Sequence, residues 1–117
     1  MRYDAFHAAA MALPGVSLDI KWGKDRAYCV GDKMFAVAGM VGEDEPRYCL
    51  KCADGSFEML CEEGVAEPAP YLARAKWVLT RTHDSLPDDQ LIAYLKQSHA
   101  LIASKLPKKQ RKALGIE

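Results

Sequence analysis

The stretch VSLDIKWGKDRAYCVGDKMFAVAG, residues 16–39, decides the fold, because its side chains alternate with a period of two and its turns fall at fixed places. In SLDIKW, Leu18, Ile20 and Trp22 share one side while Ser17, Asp19 and Lys21 share the other. That alternation is the pattern of a half-buried strand. Gly23-Lys24-Asp25 turns the chain into RAYCV, and Gly31-Asp32 turns it again into MFAVAG. Glycine beside a short polar residue supplies the left-handed backbone that tight hairpins need. Three short strands joined by two such turns predict an antiparallel meander.

Upstream, YDAFHAAAMAL (3–13) places Phe6, Ala9, Ala10 and Leu13 at helical spacing, with Asp4 as a cap or first-turn acid and Pro14-Gly15 as a stop. Downstream, VGEDEP reads as an acidic loop. RYCLKC reads as a fourth strand with Tyr48, Leu50 and Cys52 on one face and Arg47, Cys49 and Lys51 on the other. ADGSFEMLCEEG reads as a short helix, Phe57, Leu60 and Cys61 inward and Gly64 ending it. Pro68 and Pro70 then keep the backbone extended.

YLARAKWVLTR (71–81) interleaves two aromatics with basic residues. At strand spacing Tyr71, Ala73, Ala75, Trp77 and Leu79 face one way, and Arg74, Lys76, Val78 and Thr80 the other. Trp77 is then a buried anchor against the helices rather than a base-stacking platform, and Arg74 and Lys76 stay free for a phosphate or an acidic partner. In the last helix Ser85 is the expected N-cap with Asp88 three residues on, and Leu91, Leu95, Ser98, Ile102 and Lys105 or Leu106 form the inward stripe. Pro107 opens a basic tail, KKQRK. The order helix, strands, short helix, strand, long helix predicts an α+β two-layer fold: one domain over residues 1–117, a twisted antiparallel sheet covered on one face by the N- and C-terminal helices.

At 117 residues, half of them apolar, the chain can bury one core without staples. No apolar run approaches the roughly 18–20 residues that span a bilayer, and Asp4 and His7 interrupt the start. A cytoplasmic protein with no membrane partner is expected, its four cysteines (29, 49, 52 and 61) reduced. Sixteen basic and sixteen acidic residues cancel, but unevenly: residues 1–42 carry five basic and four acidic, 43–67 two and eight, 68–117 nine and four. Zero net charge weakens long-range attraction to nucleic acid, while the division still permits a basic face.

Chemistry-bearing patterns are sparse. Cys49-Leu50-Lys51-Cys52 has CxxC spacing, but a zinc site needs two more ligands, and Cys29, Cys61, His7, His83 and His99 are scattered singly. Residues three apart in a strand also point to opposite faces, and a redox pair belongs at a helix start. Ser98 and His99 project about 100 degrees apart on a helix, so they form no catalytic pair, and Ser98 instead bonds back to a carbonyl one turn earlier. His83 beside Asp84 reads as a turn. Glu43-Asp44-Glu45 with Glu62 and Glu63 lack the spacing of a calcium loop and read as solvated surface. No GxSxG, HExxH, Walker or GxGxxG pattern is present. The expectation is a non-enzymatic protein with no cofactor and no metal. Basic residues remain: Arg74, Lys76 and Arg81 near Trp77, and Lys105, Lys108, Lys109, Arg111 and Lys112 at the end of the last helix, where the helix dipole favours cations.

The order WGK, VGDKMFA, YCLKC, APYLARAKWV and SLPDDQLIAYLKQSHALIASKLPKK resembles the MmcQ/YjbR family of small bacterial proteins, from Pro14-Gly15 nearly to the end. The telling pieces are Gly31-Asp32-Lys33-Met34-Phe35, Leu50-Lys51, Trp77-Val78 and Leu106-Pro107-Lys108-Lys109. The resemblance implies a fold similar to the bacterial frataxin CyaY and a DNA-binding role with hairpins as wings. The sequence departs from the family at His99, where an aromatic usually follows the serine. Frataxin's acidic ridge is not matched, since residues 1–20 hold only Asp4 and Asp19. No iron role is carried over.

The resulting expectation is a module for double-stranded DNA using Lys21, Lys24, Arg74, Lys76, Lys105, Lys108, Lys109 and Arg111. Two alternatives stand beside it: a protein-interaction module, which the uneven charge would suit, and a small-ligand binder using a cleft between sheet and helices. Oligomeric state is left open.

Overall fold

The computed structural model describes residues 1–21, 23–40, 46–70 and 72–116. The expected strand position of Trp22, the acidic trio 43–45 and the aromatic at position 71 lie outside them. Helix α1 (Tyr3–Met11) leads into the meander β1 (Val16–Lys21), β2 (Asp25–Val30) and β3 (Lys33–Met40), and β4 (Pro46–Lys51) follows. After α2 (Asp54–Glu62) come β5 (Ala66–Pro68) and β6 (Trp77–Thr80), then α3 (Asp88–Ala103) and α4 (Lys108–Ala113). The strands form one sheet in the order β1-β2-β3-β4-β6-β5, every described pairing antiparallel.

Alternation along the strands sends Tyr28, Ala36, Ala38, Tyr48, Leu50 and Val78 to the helix side, where Phe6 and Ala10 of α1, Leu60 of α2 and Leu91, Leu95 and Ile102 of α3 close the core. Phe6 stacks on Tyr48 at 4.1 Å and meets Tyr28 edge-on, which locks α1 over the middle strands. The β2–β3 ladder slips by one residue, Tyr28 opposing Ala36 and Cys29 opposing Met34. Phe35 is the extra residue, and the bulge turns it into the core, where its ring meets His99 edge-on at 5.2 Å. His99 is buried there, its Nε2 donating to the Pro14 carbonyl at 2.9 Å. His99 therefore serves packing, tying α3 to the segment after α1.

The turn between β2 and β3 has both central residues left-handed, Gly31 at φ 54° and Asp32 at φ 70°, the backbone of a type I′ hairpin. A Cβ on Gly31 would lie 2.8 Å from Leu106 Cδ1 and from Gln110 Nε2. The glycine thus both makes the turn and lets the end of α3 and α4 seat against it, with Gln110 donating to the Gly31 carbonyl at 3.3 Å.

Several expectations change. Residues 73–75 form a 3₁₀ turn and Lys76 is left-handed at φ 64°, so strand alternation begins only at Trp77. Trp77 is buried as expected, but it is paired with Lys51 and alternates with the core residue Val78, which puts it on the face away from the helices. Ser85 caps no helix: its hydroxyl accepts the Thr82 N–H at 2.7 Å, and α3 starts three residues later behind Pro87. The Pro68 segment is a short edge strand, and the basic tail is helical. Ser98 does bond back to the Tyr94 carbonyl at 2.9 Å, and its hydroxyl also lies 2.6 Å from the Lys51 carbonyl.

Candidate functional site

Strand direction sorts the basic residues into two ends of the molecule. The β2–β3 turn, the end of β4 and the start of β6 lie at one end, and the last turn of α3 and α4 reach the same end through Leu106 and Gln110. Arg74, Lys76, Lys105, Lys108, Lys109 and Arg111 gather there, as does Lys51, which sequence reading did not include. Lys21 and Lys24 sit at the opposite end, beside the β1–β2 turn, a strand length of about 17–20 Å away. The eight residues expected to act together are therefore not one surface. Six share an end and two do not.

At the basic end Asp32 and Asp54 are present, but among the described residues no lysine is ion-paired with them. Burial, and after it the charges of Lys105 and Lys76, hold the Lys51 ammonium below its ordinary range, with Asp54 pulling the other way. Lys51 Nζ donates to the Ala75 carbonyl, and Lys76 lies over the Phe57 ring at 5.0 Å. Among the described residues none of these lysines forms an ion pair. Among the described residues, ion pairs lie elsewhere: Arg47 and Arg81 on Glu67, Lys21 on Asp19, and the N-terminal ammonium on Asp84 and Asp88. Arg111 Nε is buried with no hydrogen-bond partner. The acids Asp84, Asp88 and Asp89 lie at the start of α3, away from the basic end.

The second feature is a cleft of about 420 Å³ on the helix-free face of the sheet. Met34, Val37, Cys49 and Leu79 floor it, Gly39 leaves room in it, Pro70 and Leu72 stand on one side, and Asp25 and Arg47 line it as well. Sequence reading placed a ligand cleft between sheet and helices; that side is occupied by the core. Arg47 is held in place by Nε donating to the Thr80 carbonyl and Nη2 to Glu67, both at 2.9 Å. Burial pushes the Cys49 thiol up to about 12, so it stays protonated and unreactive at neutral pH. Cys52, three residues on, is buried on the helix side, so the CxxC pair diverges as its spacing predicts.

No three His, Cys, Asp or Glu side chains converge as metal ligands among the described residues. His7 instead joins the Tyr3 and Tyr28 hydroxyls, with Tyr28 Oη at 2.8 Å from Tyr3 Oη and 2.9 Å from His7 Nδ1, closing α1 onto β2. No described helix is long and apolar enough to cross a membrane.

Comparison with known proteins agrees with this architecture. The family model YjbR matches residues 11–101. The crystal structure of the Deinococcus radiodurans protein DR2400, with the family domain DUF419, superposes with a TM-score of 0.84 at 22% identity, covering 97% of this chain and 88% of that one. No curated protein matches the chain.

Proposed function

The chain belongs to the YjbR family, and on that premise we propose that it is a non-catalytic module that grips the phosphate backbone of double-stranded DNA with its basic end. The observation that carries this reading is the cluster of Lys51, Lys76 and Lys105, in which Lys105 and Lys76 repel Lys51 and no lysine is ion-paired among the described residues, continued by the exposed Lys108, Lys109 and Lys112 of α4. Such a cluster is destabilised by its own charge and relieved by a polyanion. The basic end gives a local attraction to phosphate despite zero net charge. Lys21 and Lys24 take no part.

The test is fluorescence anisotropy of a labelled duplex at low and moderate salt. A module contacting about four to five phosphates loses affinity with a slope of about −4 in log K against log salt. Lys105→Glu with Lys108→Glu should abolish binding, and Lys21→Glu with Lys24→Glu should leave it. Absence of binding at low salt, or equal loss in both pairs, overturns the proposal.

A second reading, a protein-interaction module, rests on β1. It is an edge strand whose Leu18 and Ile20 are exposed on the side facing α1. Its open backbone edge and apolar side chains fit strand addition by a partner. Light scattering that reports a monomer at all concentrations, together with no strand-shaped peptide binding at β1, would remove this reading.

A further inference from the structure

The cleft on the helix-free face has features that a filled sheet surface does not need. Gly39 faces into it, and a Cβ there would meet only ordinary contacts, 3.6 Å from the Arg47 carbonyl and 3.8 Å from Asp25 Oδ1. Neither a turn nor close packing therefore requires glycine at this position. Asp25 stands in register with Lys21, yet the Lys21 ammonium turns to Asp19 at 3.8 Å. The Asp25 carboxylate forms no ion pair or hydrogen bond among the described residues. Arg47 spends Nε and Nη2 on the protein, which fixes its plane and leaves Nη1 with no partner among the described residues. An unpaired acid and a braced guanidinium thus share an apolar cleft of about 420 Å³, within the size range of small-molecule sites.

We propose that this cleft binds a small amine with an apolar body. The body lies on Val37, Cys49 and Leu79, the ammonium meets Asp25, and Arg47 Nη1 offers a donor to an oxygen of the ligand. An anion of the same shape is disfavoured, because Asp25 repels it and the Arg47 charge is already shared with Glu67. The Cys49 thiol takes no chemical part. Binding here is independent of the basic end, where Lys21, Gly39 and Arg47 play no role.

The test is amide chemical-shift mapping with 2-phenylethylamine, and with 3-phenylpropionate as the anion of similar shape. The amine should bind with a dissociation constant of order 1 mM or tighter and shift the amides of β3, β4 and β6. Gly39→Val, whose Cβ meets only ordinary contacts and whose methyls would take up space in the cleft, should abolish those shifts. Asp25→Asn should weaken the amine about tenfold. Both variants should melt close to the parent, so loss of binding reads the site rather than the fold. The proposal fails if the amine leaves these amides unmoved at 10 mM (roughly tenfold above that constant), if Gly39→Val binds it as well as the parent, or if the anion binds more tightly.

Discussion

Gly31→Ala isolates the joint between the sheet and the basic helix. At φ 54° a Cβ introduces left-handed strain of about 1–2 kcal/mol. The same atom would sit 2.8 Å from Leu106 Cδ1 and Gln110 Nε2, so both side chains must move. Displacing Gln110 removes its 3.3 Å hydrogen bond to the Gly31 carbonyl, a further ~0.5–1.5 kcal/mol. Together these predict a loss of about 2–3 kcal/mol, or roughly 8–12 °C in a domain of this size. Urea unfolding should show the shift in midpoint at unchanged slope. Hydrogen exchange should show the amides of α4 losing protection before the core does. Because Gln110 carries part of the effect, Gly31→Ala made on top of Gln110→Ala should cost about 1 kcal/mol less than in the parent. A loss under about 0.5 kcal/mol, or strict additivity with Gln110→Ala, would refute the claim that the glycine is there for close approach.

Thr80 is buried and its hydroxyl accepts the Tyr48 N–H at 2.9 Å. Thr80→Val should therefore destabilise by about 1–3 kcal/mol through an orphaned N–H, while Thr80→Ser retains most of the bond; equal midpoints for the two variants would contradict this. Stability should also fall with rising pH. Burial pushes Cys49 up to about 12 and Cys52 up to about 11 from an ordinary 9.0. Below pH 9 both states keep these protons; above it only the unfolded chain releases them, so the loss grows by about 1.4 kcal/mol per pH unit per thiol until the folded value is reached. Urea midpoints between pH 8 and 10 should fall less steeply in Cys49→Ala; Cys29 and Cys61, also pushed up by burial, keep part of the fall, and Tyr28 and Tyr48 contribute only above pH 10.

Much of the fold is legible in the sequence because its signals are local. The alternation of β1 to β4, the stripe of Leu91, Leu95, Ser98 and Ile102, and the Gly31-Asp32 turn each depend on neighbours a few residues away. The failures are also physical. Lys76 adopts the left-handed backbone without a glycine to announce it, so the period counted through residues 71–79 runs past a break. The three residues of β5 are too few to show a period, and KKQRK has no apolar stripe to mark α4. Ser85 matches a capping pattern, but its hydroxyl is taken by a nearer N–H.

The sites divide the same way. Composition and order determined by themselves that the chain is an α+β domain with basic residues concentrated after position 68 and with CxxC thiols that diverge. Only the tertiary structure decided that Lys51 joins Lys76 and Lys105, that Lys21 and Lys24 lie at the other end, and that Asp25, Gly39 and Arg47 from three strands meet at one cleft. Periodicity is written in sequence separation, whereas charge repulsion, ion pairing and cavity shape depend on distance through space, which strand register and helix docking set.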